Sequence, residues 1–237
     1  MKRTINIFFF FFFALVWLAS ACQQNRERPG GYQTSDTTGT QNGKKKNGNF
    51  DDLVADYNSH DRLIWQKPDM VINRLGDLSN KTVVDLGAGT GFFAFRVIPK
   101  AKKTIALDID QRFIALMDSA KQELPSELRS RFEARLVEMD DPKLKKAEAD
   151  AVIIVNTYMY ISDRVAYMQR LRQGLSKGGL VLIVDYKEKT IPVGPPVSAK
   201  VPLALVEKEL KQAGFKVTMS DDTSLDYQYI VTAVNDF

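Results

Sequence analysis

The sequence predicts an α/β domain over residues 50–237, with a doubly wound, mostly parallel seven-stranded sheet whose last strand is antiparallel. Three observations lead there. Short apolar runs alternate with amphipathic stretches after Phe50. The runs are apolar on nearly every residue, as in strands covered on both faces. The last two runs have no full crossover helix between them, which makes them an antiparallel pair.

In chain order the expected strands are residues 81–86 (KTVVDL), 103–108 (KTIALD), 133–139 (EARLVEM), 149–155 (ADAVIIV), 179–186 (GLVLIVDY), 215–220 (FKVTMS) and 228–234 (QYIVTAV). Between them the 3.6-residue apolar spacing predicts helices over residues 91–98, 111–123, 163–176 and 202–213. Right-handed crossovers fold such a series into a sheet with helices on both faces.

Composition narrows the chemistry. The 237-residue chain has a formal charge of +4. Seven basic and two acidic residues precede Phe50, leaving 26 basic and 27 acidic residues in the domain, a balance of about −1. A nucleic-acid partner is therefore disfavoured. The chain has one cysteine, Cys22, and one histidine, His60. A Cys/His metal site, a disulfide framework and a Cys-His nucleophilic pair are excluded in the domain, and no metal is expected.

Residues 1–21 read as a signal peptide. Lys2 and Arg3 precede an apolar run from Ile5 to Leu18, which closes on Ala19, Ser20 and Ala21. The run is short for a spanning helix. With Cys22 next, the order resembles a bacterial lipoprotein signal, which implies lipidation of Cys22 and a membrane-anchored protein of the cell envelope. The alternative is an uncleaved anchor that leaves the domain on the cytoplasmic face. Residues 22–49 are rich in Gln, Asn, Gly, Thr, Ser and Lys and read as a flexible tether of roughly 30 Å.

The chemistry sits around "VVDLGAGTG". Gly87 permits a tight turn out of the first strand, Gly89 lets backbone approach a ligand, and Gly91 opens the next helix. The G-x-G-x-G spacing is not the dinucleotide fingerprint, because Phe92 stands at the sixth position. Asp108 closes the second strand, where a carboxylate can accept both hydroxyls of a ribose. With Asp85 just ahead of the loop, the set points to a nucleoside cofactor.

These motifs resemble the class I S-adenosylmethionine-dependent methyltransferases. "VVDLGAGTG" matches their first motif and "IALDID" their second, while "LSKGGLVLIVDY" is similar to their turn before strand five, with Lys177 in place of proline. Trp65 to Pro68, Asp141-Pro142 and "IPVGPP" are similar to small bacterial members, in which histidines follow strand four where this chain has Met159 and Tyr160. The resemblance implies a Rossmann-like methyltransferase fold and S-adenosyl-L-methionine as cofactor. Asp85, Gly87, Ala88 and Gly89 would surround its methionine part, and Asp108 would hold the ribose. Ile109 would pack on adenine, Asp140 would lie near the adenine amino group, and Asn156 would face the sulfonium region. Trp65 and Gln66 would cap the site from a preceding helix.

Methyl transfer from a sulfonium needs alignment and dryness more than a base. Tyr158, Tyr160, Asp185 and His60 are the candidates should a proton have to leave, with Tyr186 as a further one. The expected acceptor is a small or lipid-soluble molecule. The alternative is a non-catalytic exported binding protein on the same fold, to which the export-type leader points, since S-adenosylmethionine is made in the cytoplasm.

Overall fold

The structure, a computed structural model, describes residues 49–236. The expected signal peptide, Cys22 and the tether up to residue 48 lie outside the described residues. Among the described residues no helix is long and apolar enough to cross a membrane.

Three short helices lead in: α1 (Phe50–Tyr57), α2 (Asp61–Gln66) and α3 (Pro68–Asn73). Then follow β1 (Thr82–Leu86), α4 (Ala94–Val97), β2 (Lys103–Asp108), α5 (Gln111–Gln122), α6 (Ser126–Arg129), β3 (Phe132–Leu136) and β4 (Ala149–Val155). The chain closes with α7 (Arg164–Gly174), β5 (Leu175–Tyr186), α8 (Leu203–Gln212), β6 (Lys216–Asp221) and β7 (Gln228–Val234). The seven strands form one sheet in the order β3-β2-β1-β4-β5-β7-β6. β7 is antiparallel to both its neighbours and the other strands run together. This is the fold class expected from the sequence.

The pleat sends successive residues to opposite faces. Val84, Val152 and Ile183 join one core with Tyr167, Leu171, Val206 and Leu210 from α7 and α8. Their neighbours Val83, Ile153 and Leu182 join another with Val71, Ile72 and Val97 from α3 and α4. A third cluster seats Ile114 and Met117 of α5 on Ala106 and Phe132. All seven strands and all three cores lie between Val71 and Val234, so this part of the chain is self-contained.

Several boundaries move. β3 stops at Leu136 rather than Met139, because Val137 N–H turns back to the carbonyl of Asp108 and Glu138 pairs with Asp141 in a tight turn. α7 stops at Gly174, since Leu175 is already extended, and β5 begins there. The helix expected over 91–98 is regular only over Ala94–Val97. Asp110 and Asp163 cap α5 and α7 by accepting the N–H of Arg112 and Ala166.

The chain runs outward from β1 to β3 and returns to β4 on the other side of β1. That reversal opens a crevice above the carboxyl ends of β1 and β4, where ligands of open α/β sheets bind.

Candidate functional site

The loop after β1 is tied to β2 by two backbone bonds, from the N–H groups of Gly87 and Ala88 to the carbonyl of Leu107, at 2.9 and 3.0 Å. Gly87 has φ +72°, and a Cβ there would stand 2.3 Å from Thr157 Oγ1. Gly89 has φ +55°, and a Cβ there would meet the Tyr57 ring at 3.0 Å. Both positions need glycine for conformation and for space.

Asp108 is buried at the tip of β2. Its Oδ2 accepts the N–H of Gly89 at 2.8 Å and its Oδ1 that of Asp110 at 3.0 Å. Burial raises its pKa above the ordinary carboxylate value, and the facing N–H groups pull it back down. The bonds fix the carboxylate's direction and leave further lone pairs for a diol. Ile109 beside it is 47% exposed, an open apolar seat.

Asp85 is 3% exposed, and its Oδ2 has no hydrogen-bond partner among the described residues. Burial pushes its pKa up to about 7, against the backbone N–H of Ala94 and the charge of Arg62. A buried carboxylate oxygen without a donor is costly, and a cationic or N–H-bearing ligand would relieve that cost.

Arg62 faces this carboxylate from α2. Its Nε donates to Gln66 Oε1 at 2.6 Å, its Nη1 to the carbonyl of Tyr57 at 2.7 Å, and its plane lies 4.2 Å above the Phe92 ring. Gln66 donates to Gln228 Oε1 at 3.0 Å, and Gln228 donates to Asn156 Oδ1. Asn156 sits just past β4 with φ +56°, a left-handed conformation that asparagine tolerates. A buried polar chain thus runs from Arg62 to Asn156 along one wall of the crevice. α1 covers the loop from outside: Tyr57 stacks on Phe113 at 5.7 Å, and Thr90 Oγ1 donates to Asn58 Oδ1 at 2.9 Å.

The expected cofactor residues Asp85, Gly87, Ala88, Gly89, Asp108 and Ile109 stand together at the ends of β1 and β2. Asn156 is across from them at the end of β4. Asp140 lies in the turn after β3 rather than at the strand's end, exposed, its carbonyl accepting Arg170 Nε at 2.7 Å. Its neighbour Asp141 takes the turn role, accepting the N–H of Lys143 at 2.8 Å.

Two base candidates lie in the core. Tyr158 is fully buried, and its hydroxyl donates to Glu209 at 2.9 Å, with Arg164 closing on the same carboxylate at 2.7 and 2.8 Å. Burial raises the Tyr158 pKa further above the ordinary phenol value. Asp185 is fully buried too, accepting the N–H of Tyr186 at 2.8 Å and of Met159 at 3.3 Å. Burial pushes it up to about 7, but it is spent on holding the turn at Tyr158–Tyr160. The Tyr158 ring and Asp185 both lie in the core on the side of α7 and α8.

Tyr160 remains at the surface, 51% exposed. His60 lines a cleft of about 240 Å³ with Thr90, Gly91, Phe92, Phe95 and Arg96, on the outer side of the glycine loop. Tyr186 is buried, its hydroxyl pushed up to about 12, with Trp65 6.3 Å away between ring centres. Trp65 also meets Tyr227 at 6.2 Å, so an aromatic cluster forms around Trp65.

Sequence reasoning missed Tyr57, Arg62, Thr157 and Gln228. Arg62 and Gln66 are four apart, hence on one helix face, and Gln228 is the one polar residue opening an apolar strand.

A family model described as a methyltransferase domain matches residues 77–232. A tRNA U34 carboxymethyltransferase of Alteromonas mediterranea is 26% identical over 136 residues, 55% of this chain and 41% of that protein. A demethylmenaquinone methyltransferase of Lactococcus lactis is 23% identical over 154 residues, 61% of this chain and 59% of that protein. The chain thus spans about half the length of these relatives. A solved SAM-dependent methyltransferase from Aquifex aeolicus superposes with a TM-score of 0.71 at 20% identity, covering 77% of this chain and 96% of that one.

Proposed function

Because the chain belongs to the methyltransferase-domain family, we propose that it transfers a methyl group from S-adenosylmethionine to a small-molecule or lipid-soluble acceptor while tethered to a membrane. One observation carries the cofactor reading. Asp108 is aimed by Gly89 and Asp110 at the mouth of the crevice, and beside it Asp85 holds a buried oxygen that no described residue satisfies. A ribose diol and an ammonium group are the complements of those two carboxylates.

When bound, the cofactor supplies a methyl group already activated on a sulfonium. The protein's own residues then have three tasks. Asp108 and Ile109 hold the nucleoside end, while Asp85 and Arg62 face the charged amino-acid end with opposite signs. Asn156, fixed by Gln228 and Gln66, shapes the wall between them. Tyr57, Trp65 and Tyr186 shut out water, which raises the value of each electrostatic contact. Proton removal, where an acceptor requires it, falls to Tyr160 or solvent, because Tyr158, Asp185 and Tyr186 are buried.

The tether reading rests on the N-terminal sequence order, with Cys22 as the lipidated residue. A non-catalytic binder is the second reading, favoured by the export-type order of the N-terminal sequence. Calorimetry of a chain of residues 49–237 with S-adenosylmethionine and S-adenosylhomocysteine tests the cofactor. Micromolar binding that Asp108→Ala abolishes supports the proposal; a folded wild type that binds neither refutes it.

A further inference from the structure

The edge of the sheet opposite the glycine loop carries a row of positive charge that the cofactor site does not use. Six strands run in the same direction, so their starts share that edge. A basic residue stands at each start: Arg131 before β3, Lys102 before β2, Lys81 before β1, Lys146 before β4, Lys177 in the opening turn of β5, and Lys216 opening β6. All but Lys81 are exposed. With strands about 4.8 Å apart, the row is roughly 30 Å long.

Some acidic groups on this edge are held by neighbours, while Glu123 and Glu127, between α5 and β3, are exposed. Glu148 is bound by Arg135 at 2.8 Å, and Asp150 accepts from Thr82 N–H and Ser176 Oγ, each at 2.9 Å. Asp236 stands 3.6 Å from Lys216, and Asp77 accepts the N–H of Ser79. The domain has 26 basic against 27 acidic residues, so the row is a concentration of charge and not general basicity. Part of it complements the carbonyl ends of the helices that finish here, but Lys102 and Lys146 lie in loops and Lys177 in β5, outside any helix.

We propose that this edge docks on an anionic lipid bilayer. A nucleic-acid acceptor does not fit the row: strands of five to seven residues put it roughly 20 Å from the glycine loop, beyond reach of the transferred methyl. A bilayer needs no such reach. The occupant follows from charge complementarity and from the chain ahead of α1, where an apolar run from Ile5 to Leu18 and Cys22 precede the tether. The proposal rests on the membrane-tether part of the proposed function and narrows it. With the basic edge on lipid, the crevice faces water, and the acceptor is a water-soluble small molecule rather than a lipid held in the bilayer.

The test uses residues 49–237, which carry the whole sheet and its cores but not the apolar run. Sedimentation with phosphatidylcholine vesicles, with and without phosphatidylglycerol, reads the docking. Binding is expected only with the anionic lipid, falling with salt, and weakened roughly a hundredfold by Lys102→Gln, Lys146→Gln and Lys177→Gln together. Lys143→Gln with Lys189→Gln, at the glycine-loop edge, should leave it unchanged. Calorimetry with S-adenosylhomocysteine on the triple variant should match the wild type, which separates failure of docking from failure of the cofactor reading. Binding indifferent to anionic lipid, an equal loss from the Lys143 and Lys189 pair, or loss in the triple variant of tRNA binding instead of vesicle binding would overturn the proposal.

Discussion

Asp85→Asn should make the protein more stable at alkaline pH and worse at holding its cofactor. In the unfolded chain this carboxyl titrates near 3.8, and burial in the folded protein pushes it up to about 7. A folded value above the unfolded one means that stability is complete below about pH 4 and is lost as pH rises toward 7. The difference of about 3 units, at 1.36 kcal/mol each, is about 4 kcal/mol. Asparagine carries no charge to bury, so its advantage over aspartate should grow from near zero at about pH 4 to several kcal/mol at about pH 8. Asp185, also pushed up to about 7, imposes a similar slope on both proteins and cancels in the comparison. Urea unfolding of the two chains across that range measures the difference. A difference that does not change with pH would refute the assignment of a buried carboxylate with one oxygen left without a donor. The same carboxylate gives the second readout. Binding an ammonium group would return Asp85 to its charged form, so cofactor binding near neutral pH should release a proton in the wild type and not in Asp85→Asn. Calorimetry in buffers of different ionisation enthalpy detects that proton.

Two further changes probe the frame around the site. Gly87→Ala should cost about 2–5 kcal/mol, from the left-handed φ of +72° and the clash with Thr157, and Thr157→Ala in the same chain should recover the steric share; denaturant midpoints check both. Glu209→Gln strips Tyr158 and the half-buried Arg164 of their shared carboxylate and should cost about 2–4 kcal/mol in thermal unfolding. Cofactor affinity should be unchanged in that variant, because Glu209 is a buried residue of α8 bound to Arg164 of α7, away from the glycine loop.

The sequence by itself determined the sheet and the glycine turn that frames the crevice. β2, β4 and β7 fall where their apolar runs predict, because a strand buried on both faces leaves an unbroken run with polar or turn residues at each end. Asp85, the three glycines and Asp108 were legible for a related reason: a tight turn between a strand and a helix is a local constraint, written in consecutive residues. The opposite wall was not local. Arg62, Gln66, Gln228 and Asn156 meet across as many as 162 positions, and nothing in their spacing declares the chain of bonds between them. Tyr158 and Asp185 stand at strand ends just as catalytic residues do, and only the packing of α7 and α8 decided that they face inward. Tertiary structure decided these because burial and partner choice depend on which surfaces meet. The basic row at the strand starts belongs to the same class, since six residues far apart in the chain become neighbours once the strands align.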